Sequence, residues 1–182
     1  GRAQELTTGF TTFAPGAQLS YHRHTYAESL TLLSGEAVIE VEGRMYALEQ
    51  YDNLTIPGGL AHAAFNAATG QPAVFFGAIP TTEPVRTPVE QFFSRRRMPD
   101  GATGQEGGER LTRYRDAERY AVGEHMSCID FFNGELVPGV AMSGGWAEIA
   151  PGGRQPPHAH DCDAVVAVVD GRAACTIADG TR

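Results

Sequence analysis

Apolar and polar positions alternate in short runs along the first eighty residues. In Ser29–Leu33 and Ala37–Glu42 the period is two, with Ile39 and Val41 set against Glu40 and Glu42. That period buries one face of a β-strand. Glu42-Gly43-Arg44 predicts a tight hairpin turn between two such strands. Leu54 and Ile56 run into the turn cluster Pro57-Gly58-Gly59, and Ala73–Ala78 is a continuous apolar run expected to be a buried strand. One helix is predicted after these strands, with Thr87 as cap, Pro88 at the first helical position and Glu90 completing a capping box. It would turn Phe92 and Phe93 inward and end near Arg97. Asp100–Glu109, rich in glycine and charge, reads as a flexible linker. The expected division is a β unit at 1–80, a linker with a short helix at 81–117, and a second, incomplete unit at 118–182.

The second unit is expected because the chain repeats itself. Ala14-Pro15-Gly16, His22-Arg23-His24 and Gly35 recur as Ala150-Pro151-Gly152, His158-Ala159-His160 and Gly171, at one constant spacing of 136 residues. Gly9 and Gly145, and Ala37 and Ala173, keep the same spacing. Leu30, Leu32 and Val41 map onto Val166, Val168 and Ile177. A single gapless offset through so many special residues predicts two copies of one β unit.

Composition narrows the function classes. Hydrophobic residues make up 42% of the chain, enough for a core, and 22 Gly with 11 Pro favour short strands joined by turns. The net charge of −8 argues against a nucleic-acid footprint. Arg95-Arg96-Arg97 is the one dense basic run and reads as a solvated face. No apolar run approaches the roughly 20 residues of a membrane helix, and Gly1-Arg2-Ala3-Gln4-Glu5 carries no signal-peptide core. Cys128, Cys162 and Cys175 are odd in number without CxxC spacing, so reduced thiols and a cytoplasmic setting are expected.

The chemistry concentrates in the histidines. His22 and His24 are two apart, so on a strand both imidazoles share a face, a spacing that suits adjacent ligands of one metal. Glu28 would lie about 13 Å from His24 on a fully extended chain, so Thr25–Ala27 must turn or bulge if it is to share the ion. His62 follows the Pro57-Gly58-Gly59 turn, which can swing its strand back across the barrel. These residues resemble the cupin family. Gly16, His22-x-His24, Glu28 and Gly35 match the first cupin motif, and Pro57-x-Gly59, His62 and Asn66 match the second. One position departs: Tyr51 stands where the second motif usually opens with glycine, although Asp52 fits the turn.

The resemblance implies an all-β fold, a double-stranded β-helix or jelly-roll barrel, followed here by a partial second cupin unit. It assigns His22, His24, Glu28 and His62 as ligands of one divalent transition metal. Fe(II) or Mn(II) is favoured, and Ni, Co or Zn also suit three imidazoles and a carboxylate. In the second copy His158 and His160 remain, but Ala164 occupies the glutamate position, Asp163 is one residue early, and the counterpart of His62 would fall past Arg182. Either the chain is a fragment, the favoured expectation, or another chain completes the sheet, and a homodimer or larger assembly is expected. Tyr26 and Tyr51 flank the ligands and are the candidate catalytic donors to a substrate. Asn66 is expected to fix a loop, His125 to lie at the surface, and Trp146 in a core or interface. The implied function is a metal-dependent enzyme acting on a small organic molecule, a dioxygenase-like oxidoreductase in preference to an isomerase or lyase. The alternative is a non-catalytic ligand-binding module.

Overall fold

The computed structural model describes residues 4–99 and 106–176. Eight strands build the first unit. They are β1 (Thr7–Phe13), β2 (Gln18–Arg23), β3 (Glu28–Ser34), β4 (Ala37–Val41), β5 (Arg44–Leu48), β6 (Asn53–Ile56), β7 (His62–Phe65) and β8 (Ala73–Ile79). Three short strands follow, β9 (Thr87–Pro88), β10 (Arg96–Arg97) and β11 (Arg110–Thr112). They join two facing sheets, ordered β1-β8-β3-β6-β11 and β10-β5-β4-β7-β2-β9. The described residues are all-β, as the alternation predicts.

The alternating pattern packs as expected. Leu32, Ile39, Val41, Leu54 and Ile56 are fully excluded from solvent between the two sheets, with Tyr46, Leu48 and Phe75 beside them. Each such aliphatic side chain contributes about 1.5–3 kcal/mol of burial. The β4–β5 hairpin turns on Glu42 and Gly43, both with positive φ (47° and 86°), as a two-residue turn of matching twist requires.

The predicted helix is absent. Thr87–Pro88 pairs with β2, and Arg96–Arg97 runs parallel to β5. Phe92 is 89% exposed rather than inward, and Phe93 stacks on Tyr21 at 5.0 Å between ring centroids. The segment carried capping signals but no apolar stripe of helical period. A helix that short gains little on its own, whereas two open sheet edges offer unpaired backbone groups. The edges win, and the predicted linker becomes the border of the barrel.

The linker's far end is likewise structural. Residues 100–105 lie outside the described residues, but Glu109 is buried and bonded to Arg44 and Tyr46. Its carboxylate accepts from Arg44 Nε at 2.5 Å and from the Tyr46 hydroxyl at 2.8 Å, closing the seam between β5 and β11. Desolvation opposes Arg44's charge, yet the Glu109 carboxylate outweighs it and holds the guanidinium's pKa above its ordinary value.

Beyond β11 lies a three-stranded antiparallel sheet of β12 (Tyr120–Ala121), β13 (Glu124–Phe132) and β14 (Gly144–Arg154). Its core is Ile129, Phe131, Phe132, Val137 and Val140, with Ala27 of the first unit in the same cluster. Next to it, Asn53, Ser29, Thr31 and Thr55 satisfy one another by hydrogen bonds of 2.8–3.0 Å in buried positions. Asp52 ties the two units by accepting from Arg113 and from the Tyr114 backbone N–H. β14 starts at the counterpart of β1, while residues 155–176 form no strand. Ile177, the counterpart of Val41, lies outside the described residues.

Candidate metal centre

The local folding of β2 and β7 aims the histidines. Leu19 pairs with Ala64 and His22 with His62, so Ser20 and Tyr21 together oppose Ala63. This β-bulge lets Leu19 and His22, three residues apart, both face the barrel interior. His24 stays on that face, and the chain then bends at Thr25–Tyr26 before β3. The bend that Glu28 demanded is present. It is seated on the Pro57-Gly58-Gly59 turn, where Gly59 N–H donates to His24 O at 2.7 Å. A Cβ on Gly58 would stand 2.2 Å from Thr25 O, so only glycine permits this approach.

The four side chains converge. Their donor atoms all lie within 4.8 Å of one another. Glu28 Oε2 is 3.2 Å from His24 Nε2 and 3.0 Å from His62 Nε2. The histidine side chains of that pair are 3% exposed and the glutamate 12%, so the carboxylate is the most solvent-accessible of the three.

Each imidazole is oriented from behind by a backbone carbonyl. Nδ1 of His22 meets Ser20 O at 3.0 Å, that of His24 meets Tyr26 O at 2.6 Å, and that of His62 meets Leu60 O at 2.9 Å. A carbonyl can only accept, so each Nδ1 carries a proton, and in the neutral ring Nε2 then presents a lone pair to the centre. His22 Nε2 is buried with no hydrogen-bond partner. The other two Nε2 atoms lie within hydrogen-bond distance of Glu28 Oε2, which they reach as donors when protonated or through a shared cation when neutral. Burial would raise the Glu28 pKa, but the contacts and charges of His24 and His62 outweigh it and hold the carboxyl well below its usual range. Burial lowers the pKa of His22, which keeps it neutral. A charged Glu28 and a neutral His22 are protonation states that metal ligation needs. With bonds of about 2.1 Å, donors around one ion stand roughly 3.0–4.2 Å apart, so closing on an ion takes shifts of a few tenths of an ångström. The residues therefore fit a divalent transition metal.

The two tyrosines singled out in the sequence are placed differently from one another. Tyr26 stacks on His24 with ring centroids 4.3 Å apart and planes 9° from parallel. Its hydroxyl donates to Val85 O at 3.0 Å and accepts from Val85 N–H at 2.8 Å, so it is fully engaged. Tyr51 is not brought to the ligands. Its N–H donates to Leu32 O, four residues along β3 from Glu28, a run of about 13 Å. Its ring packs instead on Trp146 and Tyr114, at 4.5 and 5.2 Å. Tyr51 adopts φ of 70°, which explains why a glycine is the easier residue there. Asn66 fixes its loop by donating to Phe13 O and Gln71 O and accepting from Ala68 N–H. The predicted basic face is partly neutralised, because Arg95 lies 2.8 Å from Glu40 and Arg96 pairs with Glu106.

The second His-x-His pair, His158 and His160, is exposed, with ring centroids 4.7 Å apart. His158 Nδ1 meets Pro156 O at 2.9 Å, repeating the contact of His22 with Ser20. Asp163 is turned to the N-terminal segment, accepting from the backbone N–H groups of Gln4 and Glu5. An open concavity of about 560 Å³ between Gly16, Phe65 and Arg95 contains none of the four ligands. What the sequence did not reveal is the supporting shell: the Ser20, Tyr26 and Leu60 carbonyls and the Gly58 contact. The doublet Gly58-Gly59 was the one visible trace of it.

Residues 9–79 match the cupin domain family. No curated protein matches the chain. Among solved structures, a conserved protein with a double-stranded β-helix domain from Klebsiella pneumoniae is 21% identical, with 49% of this chain and 78% of that one covered and a TM-score of 0.45. The DMSP lyase DddQ from Ruegeria pomeroyi is also 21% identical, covering 50% and 47% with a TM-score of 0.44. Salicylate 1,2-dioxygenase from Pseudoaminobacter salicylatoxidans is 23% identical, covering 42% and 22% with a TM-score of 0.40. The aligned part thus spans under half of the lyase and under a quarter of the dioxygenase.

Proposed function

We propose that the chain is a metal-dependent enzyme of cupin type that acts on a small organic substrate at His22, His24, Glu28 and His62. The observation that carries this reading is the set of three Nε2 atoms, oriented by backbone carbonyls and converging with one anionic carboxylate, with His22 Nε2 buried and unpartnered. A structural histidine cluster would satisfy its own hydrogen bonds. Here His22 Nε2 finds no partner among the described residues, and a cation would supply one.

The donor set of three imidazoles and one carboxylate suits Fe(II) or Mn(II), and also Ni, Co or Zn. Such a metal, when bound, supplies a Lewis acid and, if Fe or Mn, a redox centre. Four protein donors would leave room at the ion for a small molecule, and the reading preferred here is a dioxygenase-like oxidoreductase, with an isomerase or lyase as the alternative. The chain's own part is orientation. The three carbonyls hold the imidazole tautomers, the Gly58 contact holds the His24 bend, and Tyr26 stacks on His24 as a positioning residue. Reconstitution with each metal under anaerobic conditions, followed by oxygen-uptake screening, tests the assignment. Oxygen consumption that depends on Fe or Mn and on an added organic substrate is the expected result. Turnover of substrate with Zn alone and no oxygen uptake would move the assignment to isomerase or lyase.

The wider organisation belongs to the same reading. The second unit is taken as a partial cupin copy, supported by the constant offset and by the shared histidine–carbonyl contact. Homo-oligomerisation is supported by the apolar surface left at Ile149, Val165, Val166 and Val168. Among the described residues no helix is long and apolar enough to cross a membrane, and a cytoplasmic setting is retained as the proposal.

A further inference from the structure

We propose that Arg86 is the substrate anchor of the metal centre and that the substrate it selects carries a carboxylate. This rests on the reading of the four ligands as a metal site. The inference begins from strand register. β9 lies antiparallel to β2, with His22 opposite Pro88 and Arg23 opposite Thr87. The pairing extends to Val89, whose N–H donates to Tyr21 O at 3.0 Å. One residue further in the other direction sets Arg86 opposite His24. The chain is held alongside β2 there as well, because the Tyr26 hydroxyl bonds both the N–H and the C=O of Val85. Directly opposed residues of an antiparallel pair project from the same face. Arg86 is thereby placed on the face that carries His24, at the border strand of the barrel.

Three further features turn this placement into a binding role. Arg86 is exposed, so a solute can reach it. Among the described residues no carboxylate pairs with it, although the neighbouring cations Arg95 and Arg96 both have acidic partners. The preceding Val85 is fixed through both of its backbone groups, so Arg86 starts from a held position. An unpaired guanidinium beside a site for a divalent cation is electrostatically unfavourable in the free protein. An anion bridging the two relieves it. The guanidinium fork matches a planar carboxylate in a bidentate manner, and the carboxylate of a small acid can lie between Arg86 and the ligand cluster.

The test uses the full chain loaded with Co(II), whose visible absorption reports both metal uptake and ligands entering the metal's surroundings. Wild type, Arg86→Gln and Arg86→Lys are titrated first with Co(II), then with acetate, benzoate, their neutral amides and inorganic phosphate. Expected are undiminished Co(II) affinity in all three proteins and a wild-type preference for benzoate over benzamide. Losing a charge-assisted hydrogen bond should weaken benzoate binding about tenfold or more in Arg86→Gln, with Arg86→Lys between. Equal benzoate affinity in wild type and Arg86→Gln, or no preference for benzoate over benzamide, overturns the proposal while leaving the metal site standing. Phosphate binding as tight as benzoate overturns the carboxylate assignment. Failure of the wild type to take up Co(II) refutes the metal site itself, and this inference with it.

Discussion

His22 and His62 stand directly opposite one another on β2 and β7, with their rings 4.3 Å apart between centroids. They do so because the Ser20–Tyr21 bulge adds one residue to β2, and because the Pro57-Gly58-Gly59 turn is pressed onto Thr25. The site is thus set by two backbone irregularities whose geometry can be disturbed separately from the ligands.

Gly58→Ala disturbs the second of them. Its new Cβ would meet Thr25 O at 2.2 Å, so the bend holding His24 must shift. Disturbed support of a ligand typically costs 10–100-fold in metal affinity. About tenfold weaker metal binding, with the circular dichroism of the β-fold retained, is expected from calorimetric metal titration.

Tyr21 gives the fold an alkaline limit. Burial, with the nearby Glu40 charge, outweighs the hydrogen bond from Gly43 N–H and pushes the phenol up to about 12. A raised folded pKa means that the neutral phenol favours the fold. This contribution is complete below the unfolded value of about 10 and is lost as pH rises toward about 12. Thermal melts between those pH values should fall more steeply for wild type than for Tyr21→Phe. An identical pH slope in both proteins would exclude this role.

The Arg44–Glu109 pair should behave as a buried ion pair. Arg44→Met or Glu109→Gln alone leaves one group uncompensated and should cost about 3–5 kcal/mol. The double variant carrying Arg44→Met and Glu109→Gln together should cost less than the sum of the two. Urea denaturation of the three variants measures the coupling.

Tyr51 combines an unfavourable backbone with favourable packing. Tyr51→Ala loses the contact with Trp146 and keeps the positive φ, so a destabilisation of roughly 1–3 kcal/mol is expected. Tyr51→Gly should be the milder change by about 1 kcal/mol, because glycine adopts this φ freely. The fluorescence of Trp146, the sole tryptophan, should shift to the red in both.

How much of this was legible varied with how local the cause was. The ligands were legible because His22, His24, Glu28 and His62 fall in two short motifs bounded by glycines. The hairpin at Glu42-Gly43 and the core positions Ile39 and Val41 follow from period and turn chemistry alone. The segment around Pro88 was misread because capping signals are local, while the deciding interactions, with β2 and β5, are not. Glu109 looked like linker for the same reason: its partners Arg44 and Tyr46 are more than sixty residues away. Tyr51 sits close to a motif in sequence yet at the other end of β6 from Glu28 in space. Arg86 lies in no motif and acquires its place from strand register.

The central claim is one tightly held metal per chain, at the first histidine cluster. The most direct measurement is elemental analysis of reconstituted, desalted protein, with His22→Ala and His158→Ala run beside the wild type. The account predicts one equivalent in wild type and in His158→Ala, and loss of it in His22→Ala. No retained metal in wild type, or as much lost from His158→Ala as from His22→Ala, would contradict it.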